Sequence, residues 1–242
     1  MISVCMATYN GERFIKEQID SILCQLSQDD ELIISDDGST DRTLEIISSY
    51  KDERIKLFYH KKNSEYAKIK YSRNFYYAID NFENALKQAK GDYIFLCDQD
   101  DVWTENKVPI CMEKLQNCSL LIHDGDIIDG NGNQIAPSFF KINHTHFGRL
   151  YNLLKNGYIG CCMCFSKKLL LDLLPFPKKL PMHDIYIGNF ASLNGYKVCF
   201  TKEKLIHYRR HGGNASPSSE RSHRKLSDRI NDRMMILRVC KK

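Results

Sequence analysis

Gly91-Asp92-Tyr93-Ile94-Phe95-Leu96-Cys97-Asp98-Gln99-Asp100-Asp101-Val102-Trp103 is the stretch that decides the fold. Tyr93 to Cys97 is a short uncharged run, the pattern of a strand covered on both faces. It ends in Asp98-Gln99-Asp100-Asp101, so the strand delivers carboxylates to its carboxyl edge, where open α/β sheets bind ligands. Carboxylates this close repel one another unless a cation lies between them, and oxygen ligands suit Mg²⁺ or Mn²⁺. Taken alone, the motif is equally a solvated acidic turn.

On the amino-terminal side the pattern alternates. Ile2 to Ala7 predicts a strand that leaves through Thr8-Tyr9-Asn10-Gly11. Phe14, Ile15, Gln18, Ile19, Ile22 and Leu23 recur at helical spacing. Leu32 to Ser35 is a second strand ending in Asp36-Asp37-Gly38. A helix from Asp41 to Tyr50, capped at Ser39 or Thr40, and a strand from Ile55 to Tyr59 follow. His60 to Tyr71 is expected to be loop and Asn74 to Lys90 a helix closed by Gly91. Repeating βα units predict a mainly parallel sheet with right-handed crossovers.

The other side is less regular. Helices are expected over Glu105–Asn117 and Arg149–Asn156, after Ser166, and from Met182. Strands are expected at Ser119–His123, Tyr158–Phe165 and Lys197–Phe200, with a tight hairpin turn at Asp129-Gly130-Asn131-Gly132. Gly212 to Ser222 is loop or linker.

Composition narrows the class. The chain has 242 residues, 43% hydrophobic and 27% charged, and ten cysteines. The start lacks the basic and apolar segments of a signal peptide, so residence in the cytoplasm is expected. Cys161-Cys162-Met163-Cys164 has no paired C-x-x-C elsewhere and is assigned to a buried strand rather than zinc. Residues 221–242 hold eight Lys or Arg and two Asp, while the rest of the chain has 27 basic and 28 acidic residues. The neutral body excludes a nucleic-acid binder. Leu226, Ile230, Met234 and Leu237 stripe the basic terminal helix. That stripe has three open destinations: an anionic bilayer at the inner face of the cell membrane, the domain itself, or a second subunit in a homodimer.

In order and spacing, several motifs resemble the inverting family 2 glycosyltransferases of the GT-A fold, most of all bacterial rhamnosyltransferases and capsule or O-antigen transferases. They are ATYNG (Ala7–Gly11), SDDGSTD (Ser35–Asp41), the acidic strand end, MHDIYIG (Met182–Gly188) and YRRHGGNAS (Tyr208–Ser216). The resemblance implies an α/β GT-A domain over residues 1–216. Within it, 1–103 is the nucleotide-binding half and 104–216 the acceptor side, and a basic linker and helix follow over 217–242. It implies inverting transfer of rhamnose or another hexose from a dTDP- or UDP-sugar to a hydroxyl of a glycan or lipid-linked glycan, in bacterial surface polysaccharide synthesis.

Site residues follow from the same resemblance. Asp37 and the backbone near Thr8 meet the base, and Asp36 is structural. Asp98 contacts ribose or metal water, and Asp100 is the direct ligand of Mg²⁺ or Mn²⁺, with Asp101 a second candidate. Asp184 is the base, with His183 orienting it or packing, and the helix end favours its ionised form. Arg210 contacts the diphosphate and His211 completes the metal shell, or both are solvated loop charges. Asn81 is a donor-side residue, with Asn74 a competing assignment. Trp103 floors the sugar pocket or packs in the core. Two alternatives stand beside transfer: a non-catalytic nucleotide-sugar sensor or partner subunit, and a nucleotidyltransferase. The second needs an early Gly-rich basic loop, which Thr8-Tyr9-Asn10-Gly11-Glu12 does not supply.

Overall fold

A computed structural model describes residues 1–68, 73–212 and 226–240. Its first half follows the apolar runs closely. Strand β1 is Ile2–Thr8, helix α1 Ile15–Leu23, β2 Glu31–Asp36, α2 Thr43–Ser49, β3 Ile55–Tyr59, α3 Arg73–Gln88 and β4 Tyr93–Asp98. Each of β1, β2 and β4 is buried along nearly its whole length, as expected for strands covered on both faces. They pair in parallel in the order β3-β2-β1-β4. The register Ala7↔Asp98 and Thr8↔Asp36 sets the ends of β1, β2 and β4 side by side.

The second half is a mixed extension of the same sheet: β5 Val102–Trp103, α4 Lys107–Leu115, β6 Leu120–Ile128, β7 Gln134–Ala136, α5 Phe139–Ile142, α6 Arg149–Leu154, β8 Met163–Ser166, α7 Lys167–Leu173, α8 His183–Leu193, β9 Val198–Arg209 and α9 Leu226–Val239. The full order is β3-β2-β1-β4-β8-β6-β9-β5, with β7 on β6. Strand β8 runs against both β4 and β6, and β9 runs with β6. Six strands therefore share one direction, while β5, β7 and β8 oppose it. The mainly parallel sheet is borne out.

The sheet must also curl. Four strand spacings would set β5 about 19 Å from β4 in a flat sheet. The link from Asp98 to Val102 spans at most about 14 Å. Curling brings the Trp103 ring to 5.7 Å from Phe95 and lets the Asp101 carboxylate accept the Arg209 N–H at 2.9 Å.

Three expectations need correction. Tyr158–Phe165 is not one strand: Gly160–Cys162 is a single 3₁₀ turn and only Met163–Ser166 pairs. The late strand β9 runs twelve residues rather than four, absorbing Leu205, Ile206 and Arg209 through a register shift against β6. Helix α2 starts at Thr43 rather than Asp41, and its cap is Arg42, not Ser39 or Thr40. Ser39 gives its hydroxyl to Asp36, and it is the Asp41 carboxylate that accepts the Thr43 N–H. On α9 the stripe residues Ile230 and Met234 are exposed, while Ile236 and Cys240, outside the stripe, are buried. The helix lies back on α8, where Asn194 Nδ2 donates to the Cys240 carbonyl at 2.6 Å. Most of the linker expected over 212–222, the end of the 60–71 loop, and the side chains of Leu226 and of every Lys and Arg at 221–229 lie outside the described residues. Among the described residues, no helix is long and apolar enough to cross a membrane.

Candidate active site

The carboxyl ends of β1, β2 and β4 make one rim. Asp36 is fully buried and works as a turn organiser. It accepts the Thr8 hydroxyl at 3.0 Å, the Gly38 and Ser39 N–H groups at 2.9 and 2.8 Å, and the Ser39 hydroxyl. That is the structural role expected of it. Asp37, next along, puts one carboxylate oxygen 2.5 Å from His60 Nδ1. Thr8 and Asn81 turn to each other: the Thr8 carbonyl accepts Asn81 Nδ2 at 3.1 Å and the Asp37 N–H at 3.0 Å. Both are buried, at 1% and 3% exposure, and their bond ties the end of β1 to α3. Asn74, the competing candidate, is exposed.

A clasp that no sequence motif announced joins this rim to the acidic turn. The Gln99 amide accepts the Tyr9 N–H at 2.9 Å and donates to the Tyr9 carbonyl at 3.0 Å. Gly11 leaves room for it, because a Cβ there would lie 2.3 Å from Gln99 Oε1. Asn10 takes a positive φ of 49°, which Asn tolerates, and its side chain accepts the Thr40 N–H. Tyr9 is exposed, with the Lys62 Nζ 2.9 Å from its ring centre.

The acidic turn sends its carboxylates two ways. Asp100 meets His211, Oδ2 to Nε2, at 2.8 Å, so the two sequence-assigned metal ligands come together. The His211 ring also packs, tilted, against Phe14 with ring centres 4.7 Å apart. Asp98 and Asp101 turn instead toward Cys161. Burial, followed by repulsion from Asp100 and Asp184, pushes Asp98 up to about 7. Burial and the Asp100 and Asp98 charges push Asp101 well above the carboxylate range. Excess negative charge with too little to offset it suits a cation, and Asp100 with His211 offers oxygen and imidazole donors. Two protein ligands suffice where a diphosphate supplies the rest.

Arg209 locks the turn to β9. Its Nε donates to the Asp100 carbonyl at 2.8 Å, its Nη2 to Glu17 at 2.6 Å, and its guanidinium lies 4.7 Å from the Phe14 ring centre. Arg210 differs: its Nε and Nη2 are buried with no hydrogen-bond partner among the described residues. Such a cation is costly unless something anionic arrives.

A cavity of about 270 Å³ opens beside Asp98, lined by Tyr158, Gly160, Met182, Asp184 and Tyr208 among others. Asp184 lies in the first turn of α8, one residue past the start, not at the cap, which is Met182. Its carboxylate accepts the Ile185 N–H at 2.6 Å and a bond from the Gly160 backbone. Burial outweighs the helix end and pushes it up to about 7, against the expectation that the helix would favour the ion. His183 packs: its ring lies 4.2 Å from Phe82, its two buried nitrogens are unpaired among the described residues, and burial lowers it to about 3. Trp103, 3% exposed between Phe95 and Lys107, is core and not a sugar floor.

Comparison with known proteins fits this rim and cavity. The family model "Glycosyl transferase family 2" matches residues 3–174. The chain belongs to this family. It is a glycosyltransferase, and its α/β fold is the GT-A fold expected from the motifs. An Escherichia coli relative, the UDP-Glc:alpha-D-GlcNAc-diphosphoundecaprenol beta-1,3-glucosyltransferase WfgD, is 34% identical over 82% of this chain and 75% of its own. The Shigella flexneri dTDP-rhamnosyl transferase RfbG is 27% identical over 86% and 72%. Among solved structures, S. aureus TarS 1–349 in complex with UDP-GlcNAc superposes with a TM-score of 0.68 at 20% identity, over 98% of this chain and 66% of that one. The Pyrobaculum calidifontis mannosyltransferase PcManGT, in complex with GDP-Man and Mn²⁺, gives 0.62 at 17% identity, over 88% of this chain and 58% of that one.

Proposed function

We propose that this chain transfers a hexose, rhamnose or another, from a UDP- or dTDP-sugar to a hydroxyl of a glycan or lipid-linked glycan, with inversion, in bacterial surface polysaccharide synthesis. The observation that carries the proposal is Asp184 standing in one cavity with Asp98, at the end of the strand that bears the acidic turn. Inversion needs a base on the face opposite the leaving group, and a carboxylate raised to about 7 is poised to take a hydroxyl proton near neutrality. The Gly160 and Ile185 N–H groups hold it in place.

The donor's base would lie against Asp37, whose free carboxylate oxygen accepts an imide N–H, with His60 holding the other. The unpaired Arg210 guanidinium fits the diphosphate. Asp100 and His211 would hold Mg²⁺ or Mn²⁺, which when bound neutralises charge on the departing nucleoside diphosphate. Thr8, Asn81 and Gln99 keep the rim in place for these contacts. RfbG and WfgD, named for dTDP-rhamnose and UDP-glucose chemistry, support a pyrimidine nucleotide donor.

Thermal shift with UDP- and dTDP-sugars, with and without Mn²⁺, tests the proposal. Asp184→Asn should keep the donor- and Mn²⁺-dependent shift yet lose transfer, while Asp100→Ala should lose the Mn²⁺-dependent part. Full turnover by Asp184→Asn overturns the base assignment. An unchanged Mn²⁺ response in Asp100→Ala overturns the metal assignment.

A further inference from the structure

Beside the Asp100–His211 pair lies a second constellation, two of whose members, Asp101 and Cys161, transfer chemistry leaves unused. Asp98, Asp101 and Cys161 each place one potential ligand atom within 4.8 Å of the others. Asp101 is fully buried. One of its carboxylate oxygens accepts the Arg209 N–H, and the other faces the Cys161 thiol and is left without a geometrically sound hydrogen bond among the described residues. A buried carboxylate oxygen with only a thiol beside it is poorly satisfied, and a cation bound by both would satisfy it. Cys161 is 1% exposed, and its carbonyl accepts the Lys107 Nζ at 3.0 Å. All three neighbours are free thiols: Cys162 hydrogen-bonds Cys161, and Cys164 turns to Cys111.

We propose that Asp98, Asp101 and Cys161 form a second cation site, selective for a thiophilic divalent ion such as Zn²⁺. Mg²⁺ and Mn²⁺ take oxygen ligands, whereas a thiolate with two carboxylates is a set that Zn²⁺ and Cd²⁺ prefer. Three protein ligands leave a fourth position for water, and the cavity at Asp98 gives both that water and an entry path. As the metal–sulfur bond forms, the thiol releases its proton to solvent, and nothing is oxidised or reduced. Three anionic ligands around a divalent ion leave one negative charge, which Lys107 offsets from behind.

If the transferase proposal holds, an ion here draws Asp98 inward and inhibits transfer in a way that added Mn²⁺ does not relieve. The binding test uses neither donor nor acceptor, so its failure is distinct from failure of the transferase proposal. The purified full chain is titrated with CdCl₂ and followed by thiolate-to-cadmium charge-transfer absorption in the ultraviolet. The Cys161→Ser variant is expected to lose one molar equivalent of that band and roughly tenfold or more in Cd²⁺ affinity. Cys162→Ser keeps both, ZnCl₂ competes at equal concentration, and excess MgCl₂ does not. Should Cys161→Ser fail to fold by circular dichroism, Asp101→Asn carries the test, with weaker Cd²⁺ binding and an unchanged band per bound ion. A full band in Cys161→Ser, unchanged affinity in Asp101→Asn, or displacement by Mg²⁺ overturns the site.

Discussion

Asp184 and Gln99 show how much one side chain decides here. Below pH 3.8 both native and unfolded Asp184 are protonated, so the group contributes nothing. Between 3.8 and about 7 the unfolded chain has released the proton that the native cavity retains, so stability falls as pH rises and levels off above 7. Asp184→Asn should therefore be more stable than the parent at pH 8, by on the order of 1–3 kcal/mol because cavity water screens part of the effect, and equal to it near pH 4. Differential scanning calorimetry at the two pH values checks this. Equal melting temperatures at pH 8 would remove the burial argument. Gln99→Ala removes both bonds to Tyr9 and should raise the donor KM with little change in kcat, read from initial rates over donor concentration. Asp184 was legible because MHDIYIG is a family motif. The Gln99 clasp was not, since its partner is 90 positions away and neither residue type signals the contact.

At the scale of elements, strands whose burial is uniform declared themselves, and elements whose burial depends on a distant neighbour did not. Runs such as Leu32-Ile33-Ile34 and Ile94-Phe95-Leu96 are fully buried and read correctly from apolarity alone. Strand β9 was cut short because Lys202, Glu203 and Lys204 are exposed in its middle, where it shifts register on β6. On α9 the longest apolar stripe is not the packed one. Helical spacing identifies faces but not which face finds a partner, and α8 takes Ile236 and Cys240. Ile236→Ala should thus cost about 2–4 kcal/mol, and Ile230→Ala less than about 0.5 kcal/mol. Urea unfolding of the two variants decides it, and equal midpoints would mean the helix packs otherwise.

For the molecule as a whole, the curl of the sheet matters most, because it carries the last strand back to the first catalytic turn. Pairing order cannot be seen in a linear sequence, so the motifs predicted that Arg210 and His211 belong near the donor without giving the neighbouring Arg209 a task. The structure divides the two arginines. Arg209 is 2% exposed and joins α1, the acidic turn and the β6–β7 hairpin, donating to Glu17, the Asp100 carbonyl and the Asp129 carbonyl. Arg210 has buried guanidinium nitrogens with no protein partner among the described residues. Replacing Arg209 by Ala strands the Asp100 and Asp129 carbonyls, while the exposed Glu17 turns to water, so stability and UDP binding should fall in parallel, the former by about 1–3 kcal/mol. Replacing Arg210 by Ala removes an unpaired cation, so the melting temperature should hold or rise while UDP binding weakens and uridine binding does not. Calorimetric titration of both nucleotides into both variants separates the two roles. Loss of uridine affinity in Arg210→Ala, or an unchanged melting temperature in Arg209→Ala, would show that the closure of the sheet rests on other contacts.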